Sequence, residues 1–350
     1  MRQSRFKVLP DEPVAYYHVV GRSVDPRFVF AEDEKDRFQK LLRQCEVHCS
    51  VKVLTYCLVP GVFHLLLEVP QHPGTVADDD LRTRLDGLFS SAFRKVMEDR
   101  WKTLPAEQAK KEFRAYASRF WDLSWFVRFL KQPFAQWYNG KVGRRGTLWE
   151  ERFRSSIVEG TPEVLSVVAA YIDLACVRAG LVDDPGTYKW CGFGEACAGV
   201  PVALEGIQGL MTGTKGPKRT PNAALKAYTS LIYGDDKAKA AADLATLTPE
   251  RIAYVLENNV KLPLTQYLRC EVRYFDDGTI VGSKAFVDKI FEEHRWRFSA
   301  RRKDGARRMR WVDGLELYSA RQLMVDVIEA PVPLAKSGTA AGSTAGRGRS

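Results

Sequence analysis

Of the 350 residues only seven are cysteine, at positions 45, 49, 57, 176, 191, 197 and 270, and none forms a CxxC pair. An odd count without that spacing indicates neither a zinc ribbon nor a disulfide framework, and it suits a reducing compartment. No apolar run reaches the ~18 residues that argue for a membrane span. The opening MRQSRFKVLP is charged and lacks the apolar stretch of a secretory signal. There is no internal repeat. What is present is an ample core composition, 45% hydrophobic, and a basic balance of 53 Lys and Arg against 43 Asp and Glu, net +10. That balance favours a polyanionic partner, most simply nucleic acid, over a small acidic substrate. The length suggests two domains, or one with appendages.

The pattern of apolar residues predicts a strand at 15–20, ended by Gly21-Arg22-Ser23. A helix over 32–47 follows, with Phe38, Leu41, Leu42 and Cys45 on one stripe. Strands at 51–58 and 63–69 are joined by the Pro60-Gly61 turn. Residues 71–118 are mixed and charged and read as an insertion with helical parts. A helix over 123–138 contains Pro133, which is expected to kink or split it. Residues 148–158 carry Arg152 and Arg154 and end in a fourth strand. Thr161-Pro162-Glu163 reads as a helix start, with threonine as the cap, and the helix runs to about Val177. The order is β-α-β-β-α-β, an α+β arrangement that matches the ferredoxin-like split βαβ fold with an antiparallel sheet. Gly213 to Pro221 reads as a linker to a mainly helical, basic C-terminal region over 222–330. That region has helices at 222–233 and 249–257, a strand at 269–275, and a helix capped by Ser283. Residues 331–350 read as a disordered tail.

Three features carry candidate chemistry. Tyr171 shares a helix face with Val164, Val167, Val168, Leu174 and Ala175. His64 stands at the start of a strand, with Val62 two residues before it and therefore on the same face. Basic side chains cluster twice: Arg144, Arg145, Arg152 and Arg154, then eight within residues 295–310, among them Arg301, Arg302, Arg307 and Arg308, with Trp296 and Trp311 at hand. Such a cluster suits phosphate contacts and base stacking. Read singly, each has a plainer meaning: a core tyrosine, a half-buried strand histidine, a solvated basic face.

Taken together, several segments resemble the REP-associated tyrosine transposases, the single-tyrosine HUH transposases of bacterial insertion sequences and their domesticated relatives. They are Tyr17-His18-Val19-Val20-Gly21-Arg22, Tyr56-Cys57-Leu58-Val59-Pro60 with Phe63-His64-Leu65-Leu66-Leu67-Glu68, Gly146-Thr147-Leu148-Trp149-Glu150-Glu151-Arg152-Phe153-Arg154-Ser155-Ser156, Tyr171-Ile172-Asp173-Leu174, and Val177-Arg178-Ala179-Gly180-Leu181-Val182. Their order and spacing fit across roughly residues 14–200. Residues 272–287 resemble the C-terminal part of longer members. The resemblance implies an HUH domain over 1–200, with 71–118 as an insertion. It also implies a Tyr171 nucleophile that forms a 5′-phosphotyrosine link to DNA, and Mg²⁺ or Mn²⁺ held by a His-hydrophobe-His pair, of which His64 is the second member. A polar residue one helical turn after the tyrosine completes that ligand set.

The chain departs from this pattern at two ligands. The first histidine position holds Val62, and the position one turn after Tyr171 holds Ala175. A lone His64 cannot order Mg²⁺, which demands several oxygen or nitrogen ligands; Asp173 and Glu68 are poorly placed to replace the missing groups, and Cys176 is a poor ligand for a hard cation. The expectation is a protein of this family that binds hairpin or single-stranded DNA, cleaves it weakly or not at all through Tyr171, and holds no such cation. Cytoplasmic, nucleoid-associated placement is expected, with no membrane and no small-molecule substrate. Monomer and homodimer both stay open, as do two alternatives: an active metal-dependent transposase, and an RNA-binding protein.

Overall fold

The computed structural model describes residues 6, 12–25, 30–214, 216–234, 236, 238, 247–277, 279–321 and 327–331. The first half runs β1 (Val14–Arg22), α1 (Glu32–Cys49), β2 (Lys52–Val59), β3 (Val62–Pro70), α2 (Asp78–Leu88), α3 (Ser91–Thr103), α4 (Ala106–Ala117), α5 (Leu123–Lys141) and β4 (Arg154–Val158). After β4 come α6 (Pro162–Asp173), α7 (Ala175–Arg178), α8 (Gly192–Cys197), α9 (Pro201–Thr212) and α10 (Pro221–Tyr233). The first four strands stand in the order β2-β3-β1-β4, every neighbour antiparallel. This is the α+β, ferredoxin-like order expected from the sequence.

Pro60 and Gly61 make the β2–β3 turn, with Val59 paired to Val62 across it. Gly61 takes φ 72°, a conformation that β-branched and bulky residues adopt only under strain. The pleat then sorts side chains. Odd positions of β3 face α1 and the Trp149 segment: the Phe63 ring lies 5.0 Å from Phe38 and 5.5 Å from Trp149. Even positions face α6 and the C-terminal region, which places His64 and Leu66 on that side. Because His18 pairs with Leu66 and Val20 with His64, His18 shares this face. The sheet is covered on both faces, and β1 is buried at all but its end residues.

Beyond α10, helices span Pro249–Glu257, Leu264–Tyr267 and Lys284–Glu293. Short strands β5 (Glu271–Val272), β6 (Ile280–Gly282), β7 (Arg307–Arg308), β8 (Tyr318–Ser319) and β9 (Ile328–Glu329) accompany them. β6 pairs parallel with β4, and β8 and β7 extend the same sheet. The 213–221 stretch, expected as a linker, is a connection between α9 and α10, which pack on one another.

Four local expectations are corrected. Helix α5 is not split at Pro133 but continues from Leu123 to Lys141, because the packed face of Phe126, Leu130 and Phe134 outweighs one lost backbone bond. Thr161 sits at the cap position of α6 but makes no capping bond. Helix α6 breaks at Leu174 and resumes as the short α7. The strand expected over 269–275 lasts only through Glu271–Val272 and gives way to a helical turn, Arg273–Asp276, which lets Phe275 and Asp276 both turn toward Tyr171. Gly278 and all of the expected tail except residue 331 lie outside the described residues.

Candidate functional site

Tyr171 is fully buried. Its hydroxyl donates to Asp276 Oδ2 at 2.7 Å, and the Val272 N–H donates to it at 3.4 Å. One face of its ring lies 4.6 Å from Phe275, and the Arg178 guanidinium stands 3.8 Å from the ring centroid. Arg178 itself is buried. It donates to the backbone carbonyls of Tyr171 at 2.8 Å and Leu268 at 3.0 Å, and its Nε stands 3.4 Å from Glu271. The end of α6 is thus clamped to the segment 268–276, and that segment closes over the tyrosine.

The electrostatics follow from burial. Desolvation, reinforced by the Asp276 charge, raises the Tyr171 hydroxyl well above its ordinary range and disfavours the phenolate. Burial lifts Asp276 to about 6. It also lowers His18 to about 3 and pushes His64 well below its usual value, so both rings are neutral at physiological pH. His18 Nε2 and His64 Nδ1 stand 3.2 Å apart, and His64 Nδ1 lies 3.9 Å from Asp276 Oδ1.

The structure brings Tyr171 and His64 into one neighbourhood, both touching Asp276. The positions that resemblance assigns to the other metal ligands offer no donor: Val62 is part-buried against the core and Ala175 is buried. The residues present do not fit the Mg²⁺ or Mn²⁺ site of the resembled family. Asp173 points elsewhere, accepting from Thr55 Oγ1 at 2.7 Å, Tyr228 Oη at 2.6 Å and the Phe193 N–H at 3.1 Å. Glu68 bonds Tyr16 across β1 and β3.

Sequence reasoning missed two residues here. His18 lay in plain view in the Tyr17-His18-Val19 segment, and its register against β3 was the available signal. Asp276 lies in the 272–287 segment that resembles longer members, but only the tertiary fold carries it to Tyr171.

The basic residues fall into two groups. Arg144 is half-buried, while Arg145 and Arg152 are exposed. Arg154 is ion-paired to Asp277 at 2.5 Å. In the C-terminal cluster Arg301 is exposed, but Arg302 turns inward onto the carbonyls of Asp304, Gly305 and Ala320. Arg307 pairs with Asp304 and Arg308 with Glu316. Between α5 and the 146–153 segment lies a groove of about 830 Å³, whose lining includes Trp125, Arg128, Trp149, Arg152 and Phe153. Arg119 and Arg128 flank the Trp125 ring at 4.1 and 4.7 Å.

No family model and no curated protein matches the chain. Among solved structures, that of a REP-associated tyrosine transposase bound to a REP hairpin is similar over 58% of this chain and 90% of its own, with 13% identity and a TM-score of 0.34.

Proposed function

We propose that this protein is a DNA-binding member of the REP-associated tyrosine transposase lineage that holds its tyrosine out of use. The observation that carries this reading is the closure over Tyr171. Its hydroxyl is bonded to Asp276, its ring is covered by Phe275 and Arg178, and none of its surface reaches solvent. A nucleophile must meet its phosphodiester within reacting distance, and a buried, hydrogen-bonded phenol with a raised pKa does not. Val62 and Ala175, in place of metal ligands, remove the second requirement of cleavage.

Binding needs neither. The groove beside α5 combines aromatic rings with Arg128 and Arg152, the pairing by which single strands are held through stacking and phosphate contact. Arg144, Arg145 and Arg301 add positive surface, and Arg154, Arg307 and Arg308 lend theirs against acidic neighbours. The test is fluorescence anisotropy with a labelled DNA hairpin, an unstructured single strand and an RNA hairpin of the same sequence. The DNA forms bind, and Arg128→Glu with Arg152→Glu weakens them at least about tenfold. Equal or tighter binding of the RNA hairpin favours the RNA reading instead.

A further inference from the structure

The geometry points to a divalent-cation site of the zinc class, built from His18 Nε2, His64 Nδ1 and Asp276 Oδ1, that fastens the C-terminal segment onto the sheet. The three ligand atoms lie within 4.8 Å of one another. The two imidazoles are 2% and 6% exposed, stack at 5.4 Å, and approach each other nitrogen to nitrogen at 3.2 Å. A tetrahedral ion with nitrogen and oxygen ligands at about 2.0–2.1 Å separates neighbouring ligand atoms by roughly 3.3 Å. The histidine pair already has that spacing. The carboxylate oxygen is 3.9 Å from His64 Nδ1 and within 4.8 Å of His18 Nε2, so it must move in by about half an ångström toward the first and by up to about 1.5 Å toward the second, a side-chain rotation of Asp276.

Asp276 Oδ1 is the second indication. It is buried and has no hydrogen-bond partner among the described residues, although it faces His64, while the other oxygen of the same carboxylate is occupied by Tyr171. A buried carboxylate oxygen left unpaired beside two neutral imidazoles is costly, and one cation satisfies all three groups. The surrounding bonds also match what orients metal ligands: the His18 ring bonds the Phe275 backbone, and Asp276 Oδ2 holds the Tyr171 hydroxyl. Arg22 and Arg178 lie within electrostatic reach of the pair, and Glu271 offsets Arg178.

The donor set decides the ion. Two imidazoles and one carboxylate suit Zn²⁺ and Co²⁺, whereas Mg²⁺ and Ca²⁺ prefer oxygen-rich shells. This site differs from the one implied by the family resemblance in two of its three ligands, His18 and Asp276. Its consequence is mechanical: a cation here ties Asp276, and with it Phe275, down over Tyr171.

The test uses the full chain, stripped with a chelator and dialysed, and contains no nucleic acid, so its result is independent of the DNA-binding reading. Co²⁺ titration followed by visible absorption, with Zn²⁺ competition and calorimetry, is expected to show one equivalent bound per chain. Mg²⁺ does not compete. His18→Gln and the near-isosteric Asp276→Asn each weaken Zn²⁺ binding by at least about 100-fold, with circular dichroism reporting that each variant is folded. Exposed His72→Gln changes nothing. Absence of uptake by the wild type, or unchanged affinity in folded Asp276→Asn, overturns the site.

Discussion

At the scale of single residues, two carboxylates about a hundred positions apart, Asp173 buried and Asp276 largely so, do different work. Asp276 binds the tyrosine hydroxyl and faces the histidine pair. Asp173, two positions after Tyr171, gathers Thr55, Tyr228 and Phe193 into the core. Asp173→Ala leaves two hydroxyls and one N–H unpaired, and is expected to cost about 3 kcal/mol or more in urea unfolding. Asp173→Asn keeps the shape and two of the bonds, and costs much less. Burial raises the Asp173 pKa well above 3.8 despite its three donors. The folded state therefore holds the proton more tightly than the unfolded chain. Its contribution to stability is full below 3.8 and is lost as pH rises through the raised folded value. The Asn variant should lack that dependence when unfolding curves are compared across pH. Of these residues, Tyr171 and His64 were singled out by the family resemblance, since their own spacing read only as a core tyrosine and a strand histidine. Asp173 was correctly set aside from the tyrosine face, but its partner Tyr228 comes from a later helix that no local pattern could join to it.

Among the elements, the junction of α6 and α7 decides what the tyrosine can do. The strands and helices of the first half were legible because period-2 and period-3.6 patterns survive in packed, locally consistent segments. The break at Leu174 was not, since it depends on Arg178 folding back onto the Tyr171 carbonyl. Arg178→Ala removes both carbonyl bonds and the Glu271 contact, and is expected to cost about 3 kcal/mol in the same unfolding assay. The partly exposed Glu271 keeps that figure at the lower end for a buried pair. Placing the ligands of the resembled family by Val62→His with Ala175→Asn is expected to give no covalent DNA adduct with Mn²⁺, because Phe275 and Asp276 still cover Tyr171. An adduct on denaturing gels should appear only when Phe275→Ala and Asp276→Ala are added. An adduct from the two ligand changes alone would mean that the missing metal, not the cover, is the barrier.

Across the whole molecule, the C-terminal region is structurally continuous with the first: β6 extends the sheet beside β4, and 268–276 closes the tyrosine site. Composition suggested a boundary at 213–221 because glycine and proline concentrate there, and they also serve a turn between packed helices. Among the described residues no helix is long and apolar enough to cross a membrane. The net charge of +10 supports salt-sensitive binding of a polyanion. Raising salt from 50 to 200 mM should weaken hairpin binding at least about tenfold, and Arg152→Glu should flatten that dependence in anisotropy titrations.

The most direct test of the account incubates the full chain with an end-labelled DNA hairpin and Mn²⁺, then divides the sample between native and denaturing gels, beside Tyr171→Phe. The account predicts a retarded complex on the native gel, no protein-linked DNA on the denaturing gel, and no difference between the two proteins. Protein-linked DNA that forms with the wild type and vanishes with Tyr171→Phe would contradict it.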